Sequence, residues 1–182
     1  MGPRGLGGHS DLAKITARTS FVSCWNLAEH ENAALWNVYG KAVAVTSTFA
    51  SLRDSLQTDE DIFIGYVTYL DYRTEIMDSP ASGLAPLVHK RRYFENEKEL
   101  RAVVVHGSHW TGDLPDGSWA WNLEGDPRAG ILVPVDLVGL VEGVHVAPDQ
   151  PDWFKKVVQS VCDRYGLPRE VESSSLDEAP HY

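Results

Sequence analysis

The stretch Lys90-Arg91-Arg92-Tyr93-Phe94-Glu95-Asn96-Glu97-Lys98-Glu99-Leu100-Arg101-Ala102-Val103-Val104-Val105 decides the fold. Eight of its first twelve residues are charged, and it runs straight into an apolar segment. The pattern predicts a helix over 85–98 that hands over to a strand at about Glu99, with Leu100 to His106 as its body. If the helix ran further, Glu97 and Arg101 would sit four apart and pair. If the strand has already begun, Glu99, Arg101, Val103 and Val105 share one face, and Leu100, Ala102 and Val104 share the other. Either way, carboxylates and a guanidinium reach the rim of a sheet.

Upstream, residues 1–10 read as a flexible lead. Ser20 to Trp25 alternates as a strand. Asn26 and Glu29 have the spacing of a capping pair, which predicts a helix from Leu27 to Tyr39 stopped by Gly40. Lys41 to Thr46 reads as a short strand, Thr48 to Leu56 as a helix, and Ile62 to Tyr69 as a strand with Gly65 marking a bulge or a close approach. Downstream, Ser118 to Leu123 is strand-like, and Ile131 to Leu137 and Leu140 to Val146 lean to β. The clearest helix is Asp152 to Tyr165, with Phe154, Val157, Val158, Val161 and Tyr165 on one face and Gly166 and Pro168 as the stop. Five to seven strands with three to four packed helices, without a strand–helix–strand rhythm or a glycine-rich phosphate loop, imply an α+β domain over 11–182. Its sheet is expected to be mostly antiparallel or mixed.

The chain of 182 residues is large enough for a real core, and its net charge of −10 argues against general nucleic-acid binding through phosphates. Two cysteines, Cys24 and Cys162, exclude a disulfide framework and a four-cysteine zinc site, which points to a reducing cytoplasm. No apolar run approaches the roughly 18 residues that span a bilayer, so no membrane is expected as a partner. The start of the chain has no apolar signal core.

Glu95, Glu97 and Glu99 offer carboxylates for acid–base work, or for holding a ribose or a cation. The competing reading is a solvated face laced with ion pairs. Trp25 and Trp36 flank the first long helix and could stack on a flat ring, or simply pack in a core. His106 and His109 lie three apart and would need a third ligand, Asp113 or His89, so no metal site is expected. Cys24 reads as a small buried hydrophobe.

Several of these motifs together resemble one family. Phe21-Val22-Ser23-Cys24-Trp25, Ala34-Leu35-Trp36-x-x-Tyr39, Lys41-Ala42-Val43-Ala44-Val45, Gly65-Tyr66-Val67-x-Tyr69, Lys90-Arg91-x-x-Phe94-Glu95-x-Glu97-x-Glu99-Leu100-Arg101 and Ser175-Leu176-x-x-x-Pro180-x-Tyr182 resemble the bacterial domain of unknown function 2971 over roughly 20–182. Members of that family begin with a further segment carrying an Asp-Pro-Phe-Glu-like motif. Nothing similar precedes Asp11, so the chain is expected to be a short or N-terminally truncated member.

A weaker likeness is to ADP-ribosyltransferases, with Phe21-Val22-Ser23-Cys24 similar to their serine-bearing strand and Glu97-Lys98-Glu99-Leu100-Arg101 similar to their Glu-x-Glu. That likeness implies NAD as cofactor. Glu99 would hold the nicotinamide ribose as the catalytic residue and Glu97 would assist. Ser23 would order the site, and Ser23, Trp36, Tyr39, Lys90 and Arg101 are the residues expected to bind a small nucleotide ligand. Under it, Glu99→Gln is expected to leave the fold unchanged. The alternative expectation is a non-catalytic protein-interaction module that uses residues 90–101.

Overall fold

The computed structural model describes residues 16, 18–40, 42–77, 84–105, 110–113, 119–121 and 128–179. In chain order their elements are β1 (Ser20–Asn26), α1 (Ala33–Tyr39), β2 (Val43–Thr46), α2 (Phe49–Asp54), β3 (Ile62–Tyr66) and β4 (Thr68–Leu70). Then come α3 (Ala85–Val88), β5 (His89–Arg91), a 3-10 helix (Arg92–Glu97), β6 (Glu99–Val105), β7 (Trp110–Asp113) and β8 (Trp119–Trp121). The last are α4 (Leu137–Leu140), β9 (Gly143–Val146), α5 (Asp152–Arg164), β10 (Val171–Glu172) and a 3-10 turn (Ser175–Asp177). The protein is α+β. Its strands pair mostly antiparallel, with β4–β5 and β9–β10 parallel.

The stretch 11–182, expected as one domain, divides into two compact units. The first holds the described parts of Met1–Leu27 and Glu60–Leu132, and the second Ala28–Asp59 and Val133–Tyr182.

In the first unit β6 is the middle strand of β1-β6-β3, antiparallel to both neighbours. Both of its faces are covered over this stretch, since the successive residues Leu100, Ala102, Val103 and Val104 are all buried. The expected strand over 62–69 is interrupted at Val67, whose amide donates to the Glu99 carbonyl at 2.9 Å. Beyond that break the chain continues as β4 and pairs in parallel with β5.

The expected helix over 85–98 does not form as one element. Only Ala85–Val88 is α-helical, and His89 is already extended at φ −118 and ψ 140. Pairing with β4 overrides the helical propensity of the charged residues that follow. The 3-10 helix after β5 stops at Lys98, which takes the left-handed conformation at φ 39. Arg101 therefore lies on the strand, and the four-residue helical spacing between Glu97 and Arg101 does not arise. The expected Asn26 cap does not form either, because Asn26 stays in β1 and its side-chain amide donates to the Glu97 carbonyl.

The second unit is built on the β10-β9-β2 sheet. Val144 and Val146 of β9 and Val171 of β10 form its core with Val141, Cys162 and Leu167, against which Leu140, Phe154 and Val158 pack. Helix α1 starts at Asn32, whose side chain accepts from the Ala34 amide at 2.9 Å. Over 131–137 the expected strand is reduced to a single bridge, Leu56 to Val135, and Asp136 then caps α4 through the Val138 amide at 3.1 Å. Helix α5 ends as read from the sequence: Gly166 takes φ 70, and the Leu167 amide closes on the Cys162 carbonyl at 2.9 Å. Its buried face is narrower than expected. Phe154, Val158 and Cys162 face the core, whereas Val157, Val161 and Tyr165 are at least half exposed.

That difference is measurable in urea. Phe154→Ala should cost about 3 kcal/mol, and Val161→Ala should stay within about 0.5 kcal/mol, as surface changes do. Equal losses would put both side chains in one core.

Candidate functional site

Strand alternation sorts the charged stretch. Tyr69 of β4 is in register with Lys90 of β5, and Leu70 with Arg91. Neighbours across a sheet share a face, and successive residues point to opposite faces. Tyr69 and Lys90 turn toward Glu99, while Arg91 turns the other way.

On the inward side the Lys90 ammonium donates to Glu97 Oε2 at 2.8 Å and to Glu99 Oε1 at 2.7 Å, and sits 4.6 Å from the centre of the Phe94 ring. Arg101 Nε donates to Glu99 Oε2 at 2.7 Å, and its guanidinium also reaches the Leu87 carbonyl. The Glu99 amide donates to the Tyr69 hydroxyl at 2.9 Å. Opposite Arg101 on β3 stands Gly65, which leaves the guanidinium's face of the sheet open there. A Cβ at Gly65 would meet Val88 Cγ1 at an ordinary 3.9 Å and the register there is regular, so neither the expected bulge nor a close approach is found. Two carboxylates and two cations neutralise one another in this cluster.

The Glu99 side chain is 5% exposed and that of Arg101 14%. Burial alone would raise the Glu99 pKa. The hydrogen bonds from Arg101, then Lys90, then the Cys24 thiol outweigh it and lower the pKa from 4.5 to about 2. The Cys24 thiol moves the opposite way: desolvation raises its pKa, and the Glu99 carboxylate adds to this. It is therefore a protonated donor rather than a nucleophilic thiolate. Cys24, expected to be buried, is an exposed residue directly across from Arg101.

Of the residues singled out from sequence, Glu97, Glu99, Lys90 and Arg101 come together. Ser23 does not join them. It is in register with Ala102, on the face of β1 opposite to Cys24 and Arg101. Trp36 and Tyr39 belong to the second unit. There the Trp36 indole donates to Glu31 at 3.0 Å, and Tyr39, at the end of α1, is 70% exposed. Glu31 also accepts from the Ser174 hydroxyl and from the Ser175 amide, so it ties residue 31 to the 3-10 turn. His106 and His109 lie outside the described residues.

The outward side of the same stretch was missed from sequence. Arg91, Arg92 and Tyr93 line a shallow cavity of about 260 Å³ with Leu70, Asp71, Tyr72 and Arg73. Arg91 lies 4.9 Å from the centre of the Tyr72 ring, Arg73 donates to the Tyr93 hydroxyl at 2.6 Å, and Arg92 donates to both Glu75 oxygens at 2.6 and 2.7 Å. The signal was the Lys90-Arg91 step itself. Two adjacent cations cannot share a face on a strand, but a helix over 85–98 hid that.

No family model matches the chain, and no curated protein or solved structure matches it. Among the described residues no helix is long and apolar enough to cross a membrane.

Two measurements test the inward cluster. Glu99→Gln leaves the half-buried Arg101 without its anion and Lys90 with Glu97 alone, and should destabilise the first unit by about 3 kcal/mol. A melt unchanged from wild type would match the sequence-based expectation instead. The pH dependence has a set direction. A carboxyl lowered from 4.5 to about 2 in the folded state adds stability that is complete above about pH 5 and is lost as pH falls toward 2. The loss should total about 3 kcal/mol, at 1.36 kcal/mol per pKa unit. Urea unfolding between pH 6 and 2 should show it in the wild type, and in Glu99→Gln the slope should be reduced.

Proposed function

We propose that the first unit is a non-catalytic binding module that offers the outward half of residues 90–101 to a protein partner. One observation carries this reading: the stretch is divided between an inward cluster whose charges satisfy each other and an outward rim of arginine and tyrosine around an open cavity. Arginine and tyrosine are the side chains that most often dominate protein interfaces, since each combines area with directed polar contacts. The rim stands on a strand pair and a 3-10 helix fixed from behind by the ion pairs, so little ordering is needed on binding.

The transferase expectation asks Glu99 for a carboxylate free to meet a ribose as positive charge develops on it. Each Glu99 oxygen already accepts from a cation, Oε1 from Lys90 and Oε2 from Arg101. This arrangement supports a structural carboxylate. A bacterial cytoplasmic setting belongs to the same reading, and the two free thiols, Cys24 and Cys162, are compatible with it.

Calorimetry with NAD should show no heat of binding, and the purified protein should release no nicotinamide. NAD binding with nicotinamide release would replace the module with the transferase. On the positive side, a partner purified from the source cell should bind the wild-type protein directly and bind Arg91→Glu at least tenfold more weakly, with an unchanged Tm. Binding that survives the charge reversal would remove residues 91–93 from the interface.

A further inference from the structure

The cavity behind Arg91 has a chemistry of its own. It lies at the carboxyl ends of two parallel strands, where β4 passes into Asp71–Arg73 and β5 into Arg92–Tyr93. Open α/β sheets place ligands at such ends because the following loops can turn side chains into one crevice. Three guanidinium groups, Arg73, Arg91 and Arg92, meet there in a chain whose net charge is −10.

Their engagement is unequal. Arg92 is held by Glu75, and Arg73 approaches Asp71 at 3.7 Å. Among the described residues Arg91 has no anion and no hydrogen-bond acceptor, only the Tyr72 ring below it. A guanidinium stacked on an aromatic face keeps its edge donors free, and it carries them in a planar fork that fits an oxyanion through two parallel hydrogen bonds.

We infer that this cavity takes a phosphate monoester carried on an aromatic ring of the partner; the inference rests on the binding-module reading above. Charge favours phosphate over carboxylate. Asp71 and Glu75 already supply carboxylates to Arg73 and Arg92, so a further carboxylate would gain only Arg91. A phosphate near two negative charges with three acceptor oxygens meets Arg91 and also competes with Glu75, whose pair with Arg92 is half in solvent at 38% and 50% exposure. Size favours a single group over a whole nucleotide cofactor. A space of about 260 Å³ falls short of the roughly 300–1,000 Å³ that encloses a small-molecule ligand. The rings of Tyr72 and Tyr93 at the rim favour a flat carrier for the phosphate.

The test is a nuclear magnetic resonance titration of the full chain with a short phosphotyrosine peptide, the same peptide without phosphate, and adenosine monophosphate. The phosphopeptide should shift the amides of residues 70–73 and 91–93. It should bind at least tenfold more tightly than either of the other probes. Arg91→Gln should weaken it at least tenfold at an unchanged Tm, whereas Arg53→Gln, an exposed arginine of the second unit, should not. Adenosine monophosphate binding as tightly as the phosphopeptide, shifts confined to other residues, or full affinity in Arg91→Gln would each overturn the inference. Should the phosphopeptide fail while Arg91→Glu still weakens a purified protein partner, the phosphate chemistry falls and the module stands. Partner binding that survives Arg91→Glu removes the module itself.

Discussion

A carboxylate shut away from water stays charged only if cations come with it. Glu99 is such a group, and the local architecture of the first unit follows from its needs. Arg101 arrives from two residues along the same strand. Lys90 arrives from β5, so β5 must run alongside β4 and close to the start of β6. The backbone on either side is drawn in as well. The Glu99 amide is taken by Tyr69, and its carbonyl by Val67, at the break between β3 and β4. The interruption of what looks like one long strand is therefore the place where the chain turns to serve Glu99. Lys98 completes the arrangement, since its left-handed turn lets Glu97 and Glu99, on either side of it, reach the same ammonium.

Much of this was legible in the sequence. The strand over 99–105, the face shared by Glu99 and Arg101, and the helix over 152–164 with its glycine stop all follow from local periodicity and cap chemistry. The clustering of Glu97, Glu99, Lys90 and Arg101 was legible as a list of residues, though their role as mutual partners was not. What failed has physical causes. Residues 85–98 contain good helix formers, and only the long-range pairing of 89–91 with 68–70 turns those three into a strand. Helix propensity cannot register a partner some twenty residues away.

Parity explains a further departure. Ser23 and Cys24 are adjacent, so only one of them can share a face with Arg101, and the register of β1 on β6 chooses Cys24. Register is a tertiary property, and a motif read along one strand carries no information about it. The exposed apolar residues of α5 tell a similar story. Five residues at helical spacing marked an apolar stripe, but the three-stranded sheet of the second unit covers only the part that runs through Phe154, Val158 and Cys162.

The alternation along β5 also bears on how such a domain can change over time. Lys90 pairs with Glu97 and the buried Glu99, whereas Arg91 stacks on Tyr72 on the other side, and the peptide bond between them is the whole separation. If the outward rim binds a partner as proposed, substitutions at 91–93 would alter that contact without touching the Lys90–Glu97, Lys90–Glu99 and Arg101–Glu99 pairs. A one-residue insertion in β5 would instead exchange the faces of the two side chains and remove Lys90 from the inward ion pairs. On the binding-module proposal, point substitution is thus the open route to new specificity on this surface, and a change of length is the closed one.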